Sequence, residues 1–196
     1  MAEGDDKTIR AVRSGEVDRF AELVDRYQGQ AIRLAFSLLG NYEDARDASQ
    51  EAFISAYRSL GRFRGGAKFS TWLYRIVVNE CKDAYKRRAR QPAGVLRVGT
   101  ADDDADGSLF IDVDDPGGSP SDHLANQDLS RRLTAGIREL PMTQRTAFLL
   151  HHVNGLPLHD TAEVMGCRVG TVKAHIFRAT ESLRKQLTPW LAQERR

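Results

Sequence analysis

Lys173, His175, Arg178 and Lys185 alternate in a helical period with Val172, Ile176, Ala179, Leu183 and Leu187. A helix divided in this way buries its apolar side and offers its basic side to solvent. The residues before it read as a short helix opened by Pro157. Asp160 falls in its first turn, where a carboxylate suits the helix dipole. Ala162 and Met165 are predicted to face inward, and Gly166 permits a sharp turn. Residues 157–187 therefore predict a helix-turn-helix. Its basic second helix fits a DNA major groove, with the first residues reaching base edges. An ordinary helical hairpin with a solvated basic face has the same periodicity, and spacing alone leaves both readings open.

Catalytic chemistry finds less support. Of five histidines, His151, His152 and His159 flank Asn154-Gly155, but no carboxylate or cysteine completes a metal-ligand spacing. His123 and His175 stand alone. No phosphate-binding loop, nucleophile elbow or paired catalytic carboxylates are found. The sequence predicts no enzyme, no cofactor and no metal site. Cys81 and Cys167 have no partner at CxxC spacing, so neither a disulfide framework nor a four-ligand zinc site is expected.

The elements that must carry these residues are helices. Phe20, Leu23, Val24, Tyr27, Ala31, Leu34, Ala35 and Leu38 form a first stripe, stopped by Gly40. Ala45, Ala48, Ala52, Phe53, Ala56, Tyr57 and Leu60 form a second, stopped by Gly61. Trp72, Leu73, Ile76, Val77, Ala84 and Tyr85 form a third. The stretch 62–69 between them is too glycine-rich for helix. Leu129, Leu133, Ile137 and Leu140 lead to Pro141; Ala147, Phe148, Leu150 and Val153 lead to Asn154-Gly155. No stretch sustains strand alternation. The expected fold is all-α, two small helical domains with three or four helices each.

Between them the composition changes. Val98 to Asp122 holds eight acidic residues and no Lys or Arg, whereas residues 1–97 carry 18 basic against 13 acidic and residues 123–196 carry 11 against 6. Like charges, glycine and proline resist regular structure, so residues 91–122 read as an acidic flexible linker. Leu109, Phe110 and Ile111 interrupt it with an apolar patch that either docks or forms a loose turn. The domains expected are 1–90 and 123–196. No apolar run spans a membrane and the first ten residues are polar, so the expected location is cytoplasmic.

Three segments now resemble one family. Val169-Gly170-Thr171-Val172-Lys173 followed by Ile176-Phe177-Arg178-Ala179 is similar to the recognition helix of bacterial extracytoplasmic-function (ECF) sigma factors. Asp44 to Phe53 resembles the DAxDxxQExF signature of sigma region 2.2, and Phe63 to Asn79 resembles regions 2.3 and 2.4. Leu140-Pro141, with Arg145 and Phe148, resembles the start of region 4. No stretch is left for a folded region 3, which points to the ECF class.

The resemblance implies a transcription initiation factor. Asp44, Asp47, Gln50 and Glu51 share one helix face and would dock on a β′ coiled coil of RNA polymerase core (β′ and β subunits). A plain solvated face has the same composition. Phe63, Arg64, Lys68, Phe69 and Asn79 would capture an unstacked base of the −10 promoter element, with Lys82 and Lys86 on phosphate. Trp72 reads as packing beneath that pocket. Arg145, Thr171, Lys173, Ala174, His175, Phe177 and Arg178 would meet −35 promoter DNA. Ala174 and His175 stand where the family often has Ser and Arg, and Pro157 where it has a capping Ser. The linker would thread near the polymerase active centre or serve as a plain tether. An anti-sigma factor is implied as a further partner. The competing reading is a helix-turn-helix regulator that acts without replacing the sigma subunit.

Overall fold

The computed structural model describes residues 3–90 and 120–194. Among them every regular element is helical and no strand occurs. No helix there is long and apolar enough to cross a membrane.

In the N-terminal half, helix α2 (Phe20–Leu39) buries Leu23, Tyr27, Ala31, Leu34, Ala35 and Leu38, as its stripe requires. It ends at Gly40, whose φ of +73° only glycine adopts without strain. Helix α3 (Tyr42–Ser59) starts one residue later, capped by the Asn41 side chain, which accepts from the Asp44 amide at 2.9 Å. Its buried face is Ala45, Ala48, Ser49, Ala52, Phe53 and Ala56. The small side chains let α3 lie close to both α2 and helix α4 (Phe69–Arg90), and the three pack as a bundle. Gly61 is no clean stop: α3 passes into a 3₁₀ turn, Leu60–Arg62, before the chain leaves helical geometry. Tyr85, predicted in the apolar stripe of α4, is exposed.

Ahead of these stripes the structure adds helix α1 (Glu3–Arg13). Its buried face is Asp5, Thr8, Ile9, Ala11 and Val12, two of the five polar, so hydrophobic periodicity alone does not announce it. Tyr27 donates to Asp5 at 2.6 Å, Arg26 pairs with Asp5, and Thr8 donates to Glu22 at 2.9 Å. Burial and the Asp5 carboxylate push the Tyr27 hydroxyl pKa up.

The C-terminal half holds α5 (Pro120–Glu139), α6 (Met142–Phe148), a π-helical turn (Leu149–Val153), α7 (Leu158–Met165) and α8 (Val169–Glu194). Pro141 and Pro157 stand immediately before α6 and α7. Gly166 turns the chain into α8 at φ +65°. Helix α5 lies tightly on α8: a Cβ at Gly136 would come within 3.0 Å of Leu183 Cδ2. Val153, predicted inward, is exposed. Most of the predicted linker, with Leu109, Phe110 and Ile111, lies outside the described residues; its last three residues already belong to α5.

The halves do not stand apart. Their buried side chains form one continuous core. Helix α7 packs on α4 and α6 touches α2, with Thr71 Oγ1 3.5 Å from Asp160 Oδ2.

Candidate nucleic-acid and polymerase interfaces

On α3 the alanine face is turned inward, so Asp44, Asp47, Gln50 and Glu51 all emerge on the exposed side. Asp47 keeps 71% of its side-chain area, and its one ion pair among the described residues is a distant Arg46 contact at 3.9 Å. Asp44 is 3.5 Å from Arg88 at the far end of α4. At such exposure these pairs hold the carboxylates weakly. The ridge remains largely free for an external cation.

The segment before α4 differs from its expectation. Phe63 and Phe69 retain 6% and 2% of their area and belong to the core, not to an open pocket wall. Phe63 and Trp72 centroids are 5.2 Å apart, Phe69 and Trp72 5.6 Å, and Tyr27 and Phe69 5.4 Å. Four rings thus meet in offset and edge contacts that stabilise beyond area burial alone. The segment is held over them by Phe63 N–H donating to Leu60 O at 3.1 Å and Arg13 donating to Phe63 O at 3.4 Å. Trp72, half-buried, packs under the loop as the sequence suggested. What the surface offers is Arg64, Lys68 and Asn79, with Lys82 half-buried and Lys86 exposed beside Asp83 at 3.3 Å. These are donors and cations above an aromatic floor.

Helix α8 keeps its predicted division. Val172, Ala179 and Leu183 are buried, and Ile176 and Leu187 half-buried. Thr171, Lys173, Ala174, Phe177 and Arg178 are exposed, Phe177 to 67%. Exposure on that scale leaves a large apolar ring in water beside two cations. His175 is half-buried, and its Nδ1 has no hydrogen-bond partner among the described residues.

Arg145 is not on this face. Its guanidinium donates to Leu38 O at 2.7 Å, Leu140 O at 3.1 Å and Arg138 O. Desolvation lowers its pKa, and the nearby Arg138 cation adds to that. The physical reason is local: the last carbonyls of α2 and α5 lack intrahelical partners and converge here. Nothing in the sequence marks that convergence, which is set by tertiary packing. The same holds for Tyr74, whose hydroxyl donates to Gln30 at 2.9 Å, and for Arg138, whose guanidinium lies 5.5 Å over the Phe36 ring.

His151 and His152 serve the turn before α7. His151 Nδ1 is 2.8 Å from Leu156 O, and the His152 ring stacks 4.9 Å from both Phe148 and His151. Partial burial and His151 lower the His152 pKa. Burial pushes the Cys81 thiol up to about 12, which makes it inert. Among the described residues no group of three candidate metal ligands occurs.

Two family patterns match this chain: Sigma-70 region 2 over residues 23–91 and Sigma-70, region 4 over residues 130–183. RNA polymerase sigma-H factor of Pseudomonas aeruginosa is 36% identical over 96% of both chains. ECF RNA polymerase sigma factor SigW of Bacillus subtilis is 36% identical over 92% of this chain and 95% of its own. The chain belongs to the ECF RNA polymerase sigma factors. A sigma factor is a transcription initiation factor and not an enzyme. The fold of this sigma factor is shared by two solved structures. One is the sigma factor RpoE in complex with the anti-sigma factor NepR from Bartonella quintana. It has TM-score 0.66 at 24% identity, over 86% of this chain and 96% of that one. The other is CnrH in complex with the cytosolic domain of CnrY, TM-score 0.64 at 22% identity, over 93% and 96%.

Proposed function

We propose that this sigma factor binds RNA polymerase core through the α3 ridge and directs it to promoters through separate −10 and −35 contacts. The observation that carries this reading is the ridge itself. Asp44, Asp47, Gln50 and Glu51 are exposed together on a helix whose other side is packed alanine. The ridge is acidic, rigidly supported and weakly paired within the chain, so a basic polymerase surface would meet it preorganised.

In this reading residues 1–90 form the polymerase and −10 unit, 91–122 the acidic connection, and 123–196 the −35 unit. Thr171, Lys173, Phe177 and Arg178 enter the major groove, where Arg178 reaches guanine acceptors or the backbone and Phe177 meets a thymine methyl or sugar edge. Ala174 offers no polar contact, and half-buried His175 contributes little unless α8 shifts. Arg64, Lys68 and Asn79 hold an unstacked base and its phosphate, with Lys82 and Lys86 along the backbone. Capture of that base favours strand opening, since unstacking costs a few kcal/mol that the bound base offsets. An anti-sigma factor is a fitting regulator, since the similar sigma factor RpoE was solved in complex with the anti-sigma factor NepR. The location this implies is the cytoplasm, beside the DNA.

Asp47→Arg and Gln50→Arg test the reading. Both should weaken co-purification with polymerase core tenfold or more, while stability changes by about 0.5 kcal/mol or less. Unchanged core binding by folded variants, checked by circular dichroism, would remove the ridge from the interface.

A further inference from the structure

We propose that Arg145 is a latch between the two halves of this sigma factor, and that DNA phosphate releases it by competing for the same guanidinium. The inference deepens the proposed function, on which its second half rests.

The closed arrangement cannot serve a promoter as it stands. The −35 and −10 elements lie about 25 base pairs apart, hence about 85 Å along the duplex. Yet α7, joined to α8 by three residues, lies against α4. A helix the length of α4 spans only about 33 Å. Both elements can be met at once only if α7 leaves α4.

Arg145 holds that seam at one point. It is carried by α6, and its donors reach Leu38 O at the end of α2 and Leu140 O just past α5. One cation therefore caps a helix end from each half, where two negative dipole ends converge. A planar guanidinium with several donors suits this role, and an ammonium does not. The arrangement is also incomplete. The Nε groups of Arg145 and Arg138 are buried with no hydrogen-bond partner among the described residues. The two guanidinium groups repel each other, which contributes to the lowered Arg145 pKa. They line a cleft of about 380 Å³ together with Arg88, facing a single carboxylate, Asp44. A phosphate entering there brings a full negative charge that neutral carbonyls do not, and it relieves the repulsion. Arg145 cannot bond Leu38 O and a phosphate in its place on DNA at the same time. The two states therefore exclude each other, and DNA binding and opening are linked.

The test uses the full chain with Cys167→Ser, spin-labelled after Arg58→Cys on α3 and Lys185→Cys on α8, both exposed positions. Pulsed electron resonance reads the distance between them without polymerase. The parent chain should give one short, narrow distribution. Arg145→Gln should lower the closed-to-open ratio about tenfold or more, as expected when several charge-assisted hydrogen bonds are lost. Arg145→Lys, which keeps the charge but not the fork, should also open the chain, though less. Titrating a 20-base-pair duplex at low salt should lengthen the distance in the parent. A parent chain that is already open, or an Arg145→Gln chain as closed as the parent, overturns the latch. A duplex that leaves the parent closed overturns the competition. Polymerase-core binding, measured alongside, separates the two claims. Core binding by a chain lacking the latch refutes only the latch, and a latched chain that never binds core refutes only the functional reading.

Discussion

The two units assigned to DNA present their side chains in opposite ways. On α8 an aromatic ring, Phe177, stands 67% exposed among Thr171, Lys173 and Arg178. Before and along α4 the aromatics Phe63 and Phe69 are buried, while Arg64, Lys68 and Asn79 reach water. A unit that reads intact duplex can display a finished surface, because the groove it enters already exists. A unit that takes a base out of the stack has no ligand until the duplex opens. A permanently exposed pocket of two phenylalanines would then be a large apolar patch in water. Here the rings stabilise the loop, and the polar groups remain exposed above them.

The largest expected effect tests that contrast by removing one ring from each unit. Phe69→Ala should cost about 3–5 kcal/mol, since it leaves a cavity under Trp72, Phe63 and Tyr27. Phe177→Ala should change stability by about 0.5 kcal/mol or less, yet weaken duplex binding. Urea unfolding of the two variants beside a duplex-binding assay reads both effects. A Phe69→Ala chain as stable as the parent would mean that the ring is not core, and the pocket wall would return.

A smaller effect sharpens the division of labour. Arg178→Ala should cost about 1–3 kcal/mol in discrimination at one position of the −35 element, if its guanidinium reads a base. Asn79→Ala should leave duplex affinity unchanged and reduce open-complex formation, with partial rescue on a promoter whose −10 bases are already unpaired. Permanganate reactivity of −10 thymines on native and pre-melted templates separates these. Equal defects of Asn79→Ala on both templates would assign Asn79 to single-strand binding or folding and not to opening.

What could be read in the sequence follows from which forces act locally. The stripes of α2, α3 and α8 were legible because each buries one apolar face, and Leu23, Ala52 and Ala179 are fully buried as their period requires. Gly40 and Gly166 were legible as turns because their positive φ demands glycine. Helix α1 was not, because Asp5 and Thr8 take places that apolar residues usually hold and are satisfied only by Tyr27, Arg26 and Glu22. The ridge of α3 was legible as a polar face. Whether an aromatic belongs to a core or a contact was not, since Phe63 and Phe177 are the same residue type beside the same cations. Nor was the closing of one half on the other: Thr71, Asp160, Arg145 and Leu38 are far apart in sequence and meet only through packing.

The smallest expected effect lies under the helix-turn-helix and is one that the α4 loop should not share. His152 stacks on Phe148 and His151 in the π-helical turn that leads to α7. Partial burial and the neighbouring His151 lower its pKa, so its neutral form is favoured in the folded chain. In the unfolded chain it titrates near its ordinary value of about 6.5. As pH falls through that value, the unfolded chain takes up the proton first. Stability is therefore fully present above about pH 6.5 and is lost as the pH falls towards the lower folded value. Solvent screens much of the charge on so exposed a ring, so the loss should not exceed about 0.5 kcal/mol. His152→Gln removes the titration and keeps a polar side chain of similar reach. The difference in unfolding midpoint between parent and variant should be constant from pH 8 to 7 and narrow below about pH 6.5. A difference that stays constant down to pH 5 would show that the ring is freely hydrated and that the turn under α7 has no proton-linked strain. The aromatic floor beneath the α4 loop, Phe63, Phe69 and Trp72, contains no group that titrates in that range, so its variants should show no such pH dependence.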